Sequence, residues 1–451
     1  MNFIPTAFGL FLLFSLCVPC AIAETVKDRE GAVRGDKAKM AESTRWIYND
    51  IDAGFERAKA SGQPLMVVLR CVPCLSCMGI DTGVLIENPK LSPLLDQFVR
   101  VRVINANKLD LERFQFDYDL SFSTLFFNAD GTLYARFGSW EHQKDPENKV
   151  TASFAAALEG VLRAHRGYPA NQDRLAGKQG KPTRFKRPTD MPGIKGKYKA
   201  ELNWSGKVVQ SCVHCHQLGD SKRFELRELQ GKPLPLDLIY PHPPPSVLGL
   251  TLDTTAFPLK ISAVAEGSPA ANAGAKQGDL LLAIGAPDEA QLTVSDADVT
   301  WALHHLPDAG GPVAAVVYRG EERKTLTMNL AADWRSKVDI SRRVGTWPMR
   351  AMAFGGMKLD ELDADKRREL DLDDKQFGLF AKHVGQYGKH AKAKQAGWRK
   401  GDILLDIDGD DSRLSESQLI GKLIREHEKG DKVPVAVLRN GKRIRLSIPV
   451  Q

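Results

Sequence analysis

A ten-residue segment occurs twice in this chain, and that repeat limits how its second half can fold. Ala273-Gly274-Ala275-Lys276-Gln277-Gly278-Asp279-Leu280-Leu281-Leu282 returns, 123 residues on, as Ala396-Gly397-Trp398-Arg399-Lys400-Gly401-Asp402-Ile403-Leu404-Leu405. Each copy precedes a polar Gly-containing turn, a helical stretch (296–306 and 415–428) and two strands joined by a tight hairpin. The hairpins are Tyr318-Arg319-Gly320-Glu321 and Arg439-Asn440-Gly441-Lys442. A period above one hundred residues is too long for a solenoid unit, so the pattern predicts two copies of one domain, at 246–331 and 350–451.

The whole chain of 451 residues suggests about three domains at ~150 residues each. Its 43% hydrophobic and 26% charged residues exclude wholesale disorder, collagen and coiled coil. A net charge of +7 spread over this length is not the concentrated basic face that nucleic acid requires. The apolar run 8–23 ends in Ala21-Ile22-Ala23, a signal-peptide core with a small-x-small cleavage site, so residues 1–23 predict export. An uncleaved anchor is the alternative, though about 16 apolar residues are short for a bilayer span. No later segment is apolar enough to span a membrane.

Removing that signal leaves five cysteines, in two tight clusters. A stapling framework would spread its cysteines to close long loops, so these clusters point to chemistry. The first, Cys71-Val72-Pro73-Cys74-Leu75-Ser76-Cys77, follows a buried strand at 64–69 and opens a helix. A helix N-terminus offers unpaired N–H groups and a positive dipole that favour a thiolate. Around it, 45–60 reads as a helix, 99–104 as a strand, 124–127 and 132–137 as a hairpin across Asn128-Ala129-Asp130-Gly131, and 151–165 as a closing helix. Residues 24–44 read as a flexible leader.

This region, 45–168, resembles the thioredoxin superfamily, especially exported thioredoxin-like domains with a tryptophan-containing leading helix (here Trp46). The resemblance implies an α/β fold in which Cys74 attacks, Cys77 resolves and Cys71 stands one turn earlier; two overlapping C-x-x-C pairs leave the choice open. Three positions depart from the pattern. Ser123, just before Thr124, replaces the proline beside the active site, Val68 the buried acid, and Pro73 the aromatic before the first cysteine. A structural disulfide or a metal-binding trio is the alternative to redox exchange.

Cys212-Val213-His214-Cys215-His216 is C-x-x-C-H, the attachment motif of c-type haem, which implies two thioether links and His216 on the iron. A plain disulfide or a Cys/His zinc site is the alternative. His242 is the first candidate for a second metal ligand and Met191 the next. The motif lies in a short segment, 201–245, after a Lys-, Arg-, Gly- and Pro-rich stretch at 169–200 that reads as a solvated basic linker.

Residues 246–331 resemble a bacterial PDZ domain. Leu248-Gly249-Leu250 matches the carboxylate-binding loop, and Val264-Ala265-Glu266-Gly267-Ser268-Pro269-Ala270 the turn that follows. The resemblance implies that an extended peptide or a protein C-terminus binds as an added strand. The copy at 350–451 is weaker at its front, where Gly355-Gly356-Met357 stands for the loop, and a degenerate repeat of this kind is consistent with one copy that binds peptide and one that only packs. No Gly-x-Ser-Gly-Gly segment of the trypsin-like proteases that often precede such domains is present. The domain order resembles a family of exported thioredoxin/PDZ proteins, some with selenocysteine. The sequence thus predicts a multidomain protein: an α/β thioredoxin-like domain, a short haem-motif segment and two PDZ-like β-rich α+β domains. Its expected activity is thiol–disulfide exchange with an unidentified redox partner, its expected cofactor covalent haem c. A non-catalytic PDZ scaffold and a haem-based redox sensor are the rivals.

Overall fold

Leu65–Arg70 and Val99–Val103 are rich in apolar residues, and every side chain in them is buried, the pattern of strands covered on both faces. In the structure, a computed structural model that describes residues 28–72, 88–120, 122–138 and 149–451, they form the centre of a five-stranded sheet. Its strands are β1 (Trp46–Tyr48), β2 (Leu65–Arg70), β3 (Val99–Val103), β4 (Phe122–Phe127) and β5 (Leu133–Phe137), in the order β1-β3-β2-β4-β5. The first three run parallel, and β4 and β5 are antiparallel.

Three longer helices serve this sheet: α1 (Arg29–Ala41), α2 (Ile51–Ser61) and α3 (Lys149–Arg166). Phe55 and Ala58 of α2 pack on Leu65, Val67 and Val101, whereas Phe154, Leu158 and Val161 of α3 pack on Met66, Val68 and Phe126. The helix expected from residue 45 begins only at Ile51. Asn49 takes a left-handed φ of 57° and Asp50 caps α2 by accepting from the Ala53 N–H (2.9 Å), which frees Trp46 and Ile47 to pair with Arg100 and Val101 as a strand.

The described parts of two stretches that read as leader and linker are ordered. The expected flexible leader contains α1, docked through buried Val33 and Met40. Its Asp36 accepts from Tyr48 Oη (3.0 Å) and pairs with the buried Arg102 guanidinium. The expected solvated linker, 169–200, wraps against the sheet in short turns, with Lys178 fully buried and its Nζ 2.7 Å from Asp298. Its high charge misled because one of its cations, Lys178, pairs inside the fold.

The repeat is realised as two antiparallel sheets of matching strand order. The first contains β6 (Leu250–Asp253), β7 (Leu259–Val264), β8 (Leu280–Gly285), β10 (Gly311–Arg319) and β11 (Glu322–Leu330), with the short β9 (Gln291–Leu292) on β8. The second contains β12 (Met357–Glu361), β13 (Leu379–Val384), β14 (Ile403–Ile407), β15 (Lys432–Arg439) and β16 (Lys442–Pro449). One fork recurs in both. Arg319 grips Asp279 through two 2.8 Å bonds and the Gly274 carbonyl at 2.8 Å; Arg439 grips Asp402 through two 2.7 Å bonds and the Gly397 carbonyl at 2.8 Å. The repeated Gly-Asp is therefore the anchor of the final hairpin.

Candidate functional site: a cleft shared by two cysteine clusters

Cys71 directly follows β2, at the carboxyl end of the parallel strands, where open α/β sheets carry their functional groups. The β2–β4 register sets Leu69 opposite Ser123, so the position that departs from the thioredoxin pattern does sit beside this strand end. Cys74 and Cys77 lie outside the described residues.

The second cluster comes to the same place. Cys71, Cys212, His214 and Cys215 line one narrow cleft of about 30 Å³, closed by Val33 of α1 and Ile104 after β3. Cys71 Sγ is 3.2 Å from His214 Nδ1, a contact between residues 143 apart in sequence. A proton can pass between sulfur and nitrogen at that distance, the arrangement that turns a thiol into a nucleophile.

Three groups hold this segment against the sheet. Asn107, fully buried, donates to the carbonyls of Lys199 (2.7 Å) and Ser211 (2.8 Å) and accepts from the Val213 N–H (2.7 Å). Glu30 of α1 accepts from the N–H groups of Val208 (2.8 Å) and Val209 (3.1 Å), in the turn before Cys212. Gln217 accepts from the His214 N–H (2.8 Å) and donates to Tyr198 Oη (3.0 Å), which fixes the backbone at the histidine. Sequence reading missed all three, and it passed over His214 as a spacer within C-x-x-C-H. The only signal was a histidine between two cysteines.

Cys212 and Cys215 are both thiols, not joined to each other. The Cys212 thiol donates to the Val208 carbonyl (3.3 Å), and burial, with Glu30 nearby, pushes it up to about 11. Burial pushes the Cys215 thiol up to about 12 as it packs against the core that holds Leu109 and Phe114. His216 begins helix α4 (His216–Phe224), 40% exposed, with Nδ1 3.6 Å from Asp220 and its ring stacked 5.8 Å from that of His214.

These positions bear on the expected haem. The cleft of about 30 Å³ is far smaller than a porphyrin, the Cys212 thiol is bonded to the Val208 carbonyl, and Cys215 packs against the core. A porphyrin does not fit between them in this arrangement. Nor does His242 stand near as a second ligand: it is 9% exposed and stacks 4.3 Å from His304, between cavities of about 540 and 410 Å³ that neither cysteine lines. Met191 is buried in the core with Val213 and Leu218. Among the described residues no group of three or more His, Cys, Asp or Glu is placed to hold a metal ion, and His216 and His242 line different parts of the fold.

Leu248, Gly249 and Leu250 lead into β6, the edge strand of its sheet. Gly249 has φ +81°, and a Cβ there would meet the Ser268 side chain at about 2.1 Å, so only glycine serves this turn. The second repeat differs at the matching place. Its edge strand β12 faces helix α6 (Glu416–Glu426), and the inserted helix α5 (Thr346–Phe354), buried over most of its length, packs against both. Glu416 accepts from the Leu359 N–H (2.8 Å) and takes a fork from Arg350 (2.8 and 2.6 Å). That backbone donor of the edge strand is already spent.

A family model described as thioredoxin-like matches residues 46–129, so the first domain is thioredoxin-like. No curated protein matches the chain. Among solved structures, the HtrA-type protease AlgW with a decapeptide, and a substituted form of it with the same ligand, are similar at 16% identity. Their TM-scores are 0.21 and 0.22, over 42% and 43% of this chain; the chain spans about half, 54%, of the length of each. No helix among the described residues is long and apolar enough to cross a membrane.

Proposed function

We propose that the protein is an exported thiol–disulfide exchange protein in which Cys71, paired with His214, is a reacting thiol. The 3.2 Å contact carries this reading, because it joins a cysteine at the functional end of a thioredoxin-like sheet to an imidazole that can take its proton. Of the two overlapping C-x-x-C pairs, this reading takes Cys71 as the attacking thiol, in place of the Cys74 attack and Cys77 resolution that the thioredoxin resemblance implies. Export rests on the sequence of residues 1–23. The test is the second-order rate with which the reduced mature chain attacks a peptide disulfide. Cys71→Ser should lower it at least tenfold; an unchanged rate would remove Cys71 from the site.

The first repeat is the proposed peptide dock, PDZ-like in its Leu248-Gly249-Leu250 turn and open edge strand, and the second is a packing copy. Adding a peptide with a free C-terminus should shift the amide resonances of 250–253 and leave those of 357–361 in place. Shifts confined to β12 would reverse the assignment. Covalent haem on Cys212 and Cys215 is the competing reading of the second motif, and it requires both thiols to leave their packed positions.

A further inference from the structure

C-x-x-C-H is the one motif that this function leaves without a task. Its two cysteines and Cys71 line the same cleft, and among the described residues these are all the cysteines there are. The segment is also held there by bonds whose only evident result is that position: Asn107 makes three of them from inside the thioredoxin-like domain. Cys215 stands at the entry of α4, three residues beyond Cys212, in the C-x-x-C spacing that closes a reversible disulfide.

We propose that Cys212 and Cys215 are an internal dithiol reductant that discharges a mixed disulfide formed at Cys71. This rests on the reading of Cys71 as a reacting thiol. Cys71 attacks a substrate disulfide R–S–S–R′; the S–S bond breaks, R′–SH leaves with one proton, and Cys71–S–S–R forms. One thiol of the pair attacks Cys71 Sγ, R–SH leaves with the second proton, and a disulfide joins Cys71 to the pair. The remaining thiol attacks its partner's sulfur, which closes Cys212–Cys215 and restores Cys71. The substrate gains two electrons, and the dithiol loses two. One turnover needs no outside reductant; the next requires an external dithiol. His214, between the pair in sequence and against Cys71 in space, is the group that moves the proton.

The experiment uses the full mature chain with Cys74→Ser and Cys77→Ser, which leaves the three cleft cysteines alone. The protein is reduced, freed of reductant and mixed with oxidised glutathione, then quenched with N-ethylmaleimide over time and mapped by peptide mass. The expected result is transient glutathione on Cys71, followed by about one Cys212–Cys215 disulfide per chain, with Cys71 alkylated again. Adding Cys215→Ser should arrest the course at glutathione on Cys71 or at a Cys71–Cys212 disulfide. Stable glutathione on Cys71, with Cys212 and Cys215 both alkylated as thiols after denaturation, would overturn the relay and leave the exchange reading intact. Cys71 that never takes glutathione would overturn both.

Discussion

Cys71 Sγ and His214 Nδ1 lie 3.2 Å apart, joining the strand end of a thioredoxin-like domain to the middle of a C-x-x-C-H segment. If the imidazole receives the thiol proton, its removal should be visible in the pH profile. His214→Gln preserves size and a polar atom but cannot hold that proton near neutrality. We expect the exchange rate at pH 7 to fall by about 10²-fold, the usual worth of a positioned base. The variant's rate should then rise about tenfold per pH unit across the range where the natural chain levels off. Identical profiles would show that the contact is only structural.

Cys212 and Cys215 should resist alkylation in the folded protein. With thiols held up to about 11 and about 12, the thiolate fractions at pH 8 are on the order of 10⁻³ and 10⁻⁴. Iodoacetamide should therefore modify both on the order of 10²-fold or more slowly than a cysteine in an unfolded peptide. The same shifts set a stability trend. The folded values lie above the ordinary 9.0, so these groups favour the folded state fully below pH 9, and that contribution is lost as pH rises through 11 to 12. Urea midpoints at pH 8 and pH 10.5 check the sign: the second should be lower.

Asn107→Ala should release the second cluster from the first. The change strands one backbone N–H and two carbonyls in the interior, a loss of about 2–4 kcal/mol. Hydrogen exchange across 199–213 should accelerate, and Cys212 should alkylate faster at unchanged pH. Faster exchange spread evenly over the chain would mean that Asn107 supports the fold in general rather than this segment.

Much of the architecture was legible beforehand, for local reasons. The hairpin at Asn440-Gly441 uses the positive φ values (50° and 74°) that this residue pair favours, and the capping boxes at Ser295 and Ser415 mark both repeat helices. What escaped depends on contacts between distant segments. Nothing near Asp36 in sequence signals Arg102, and nothing near Lys178 signals Asp298, so a docked helix read as a leader and a buried tether read as a linker. Both cysteine clusters were visible, but their meeting was not, since it depends on Asn107 and Glu30. The packing around Cys212 and Cys215 was not legible either, because five residues of motif say nothing about the space around them.

Lys178, which pairs with Asp298 and donates to the Tyr134 carbonyl (2.7 Å), ties the thioredoxin-like domain to the first repeat. Asp298 also accepts from the N–H groups of Arg136 (3.1 Å) and Val294 (3.0 Å), and it is fully buried. Lys178→Met leaves this carboxylate without its cation and should cost about 3–5 kcal/mol. Adding Asp298→Asn should recover part of that loss, as chemical denaturation of both variants would show. No recovery would mean that the methionine itself disrupts the packing.

The most direct test of the central claim is peptide mass mapping of the mature chain, produced in a host with cytochrome c maturation machinery and then exposed to a peptide disulfide. The account predicts unmodified thiols at Cys212 and Cys215 before exposure and a mixed disulfide at Cys71 on brief exposure. A peptide spanning 212–216 that carries the mass of haem, with Cys71 inert, would contradict it.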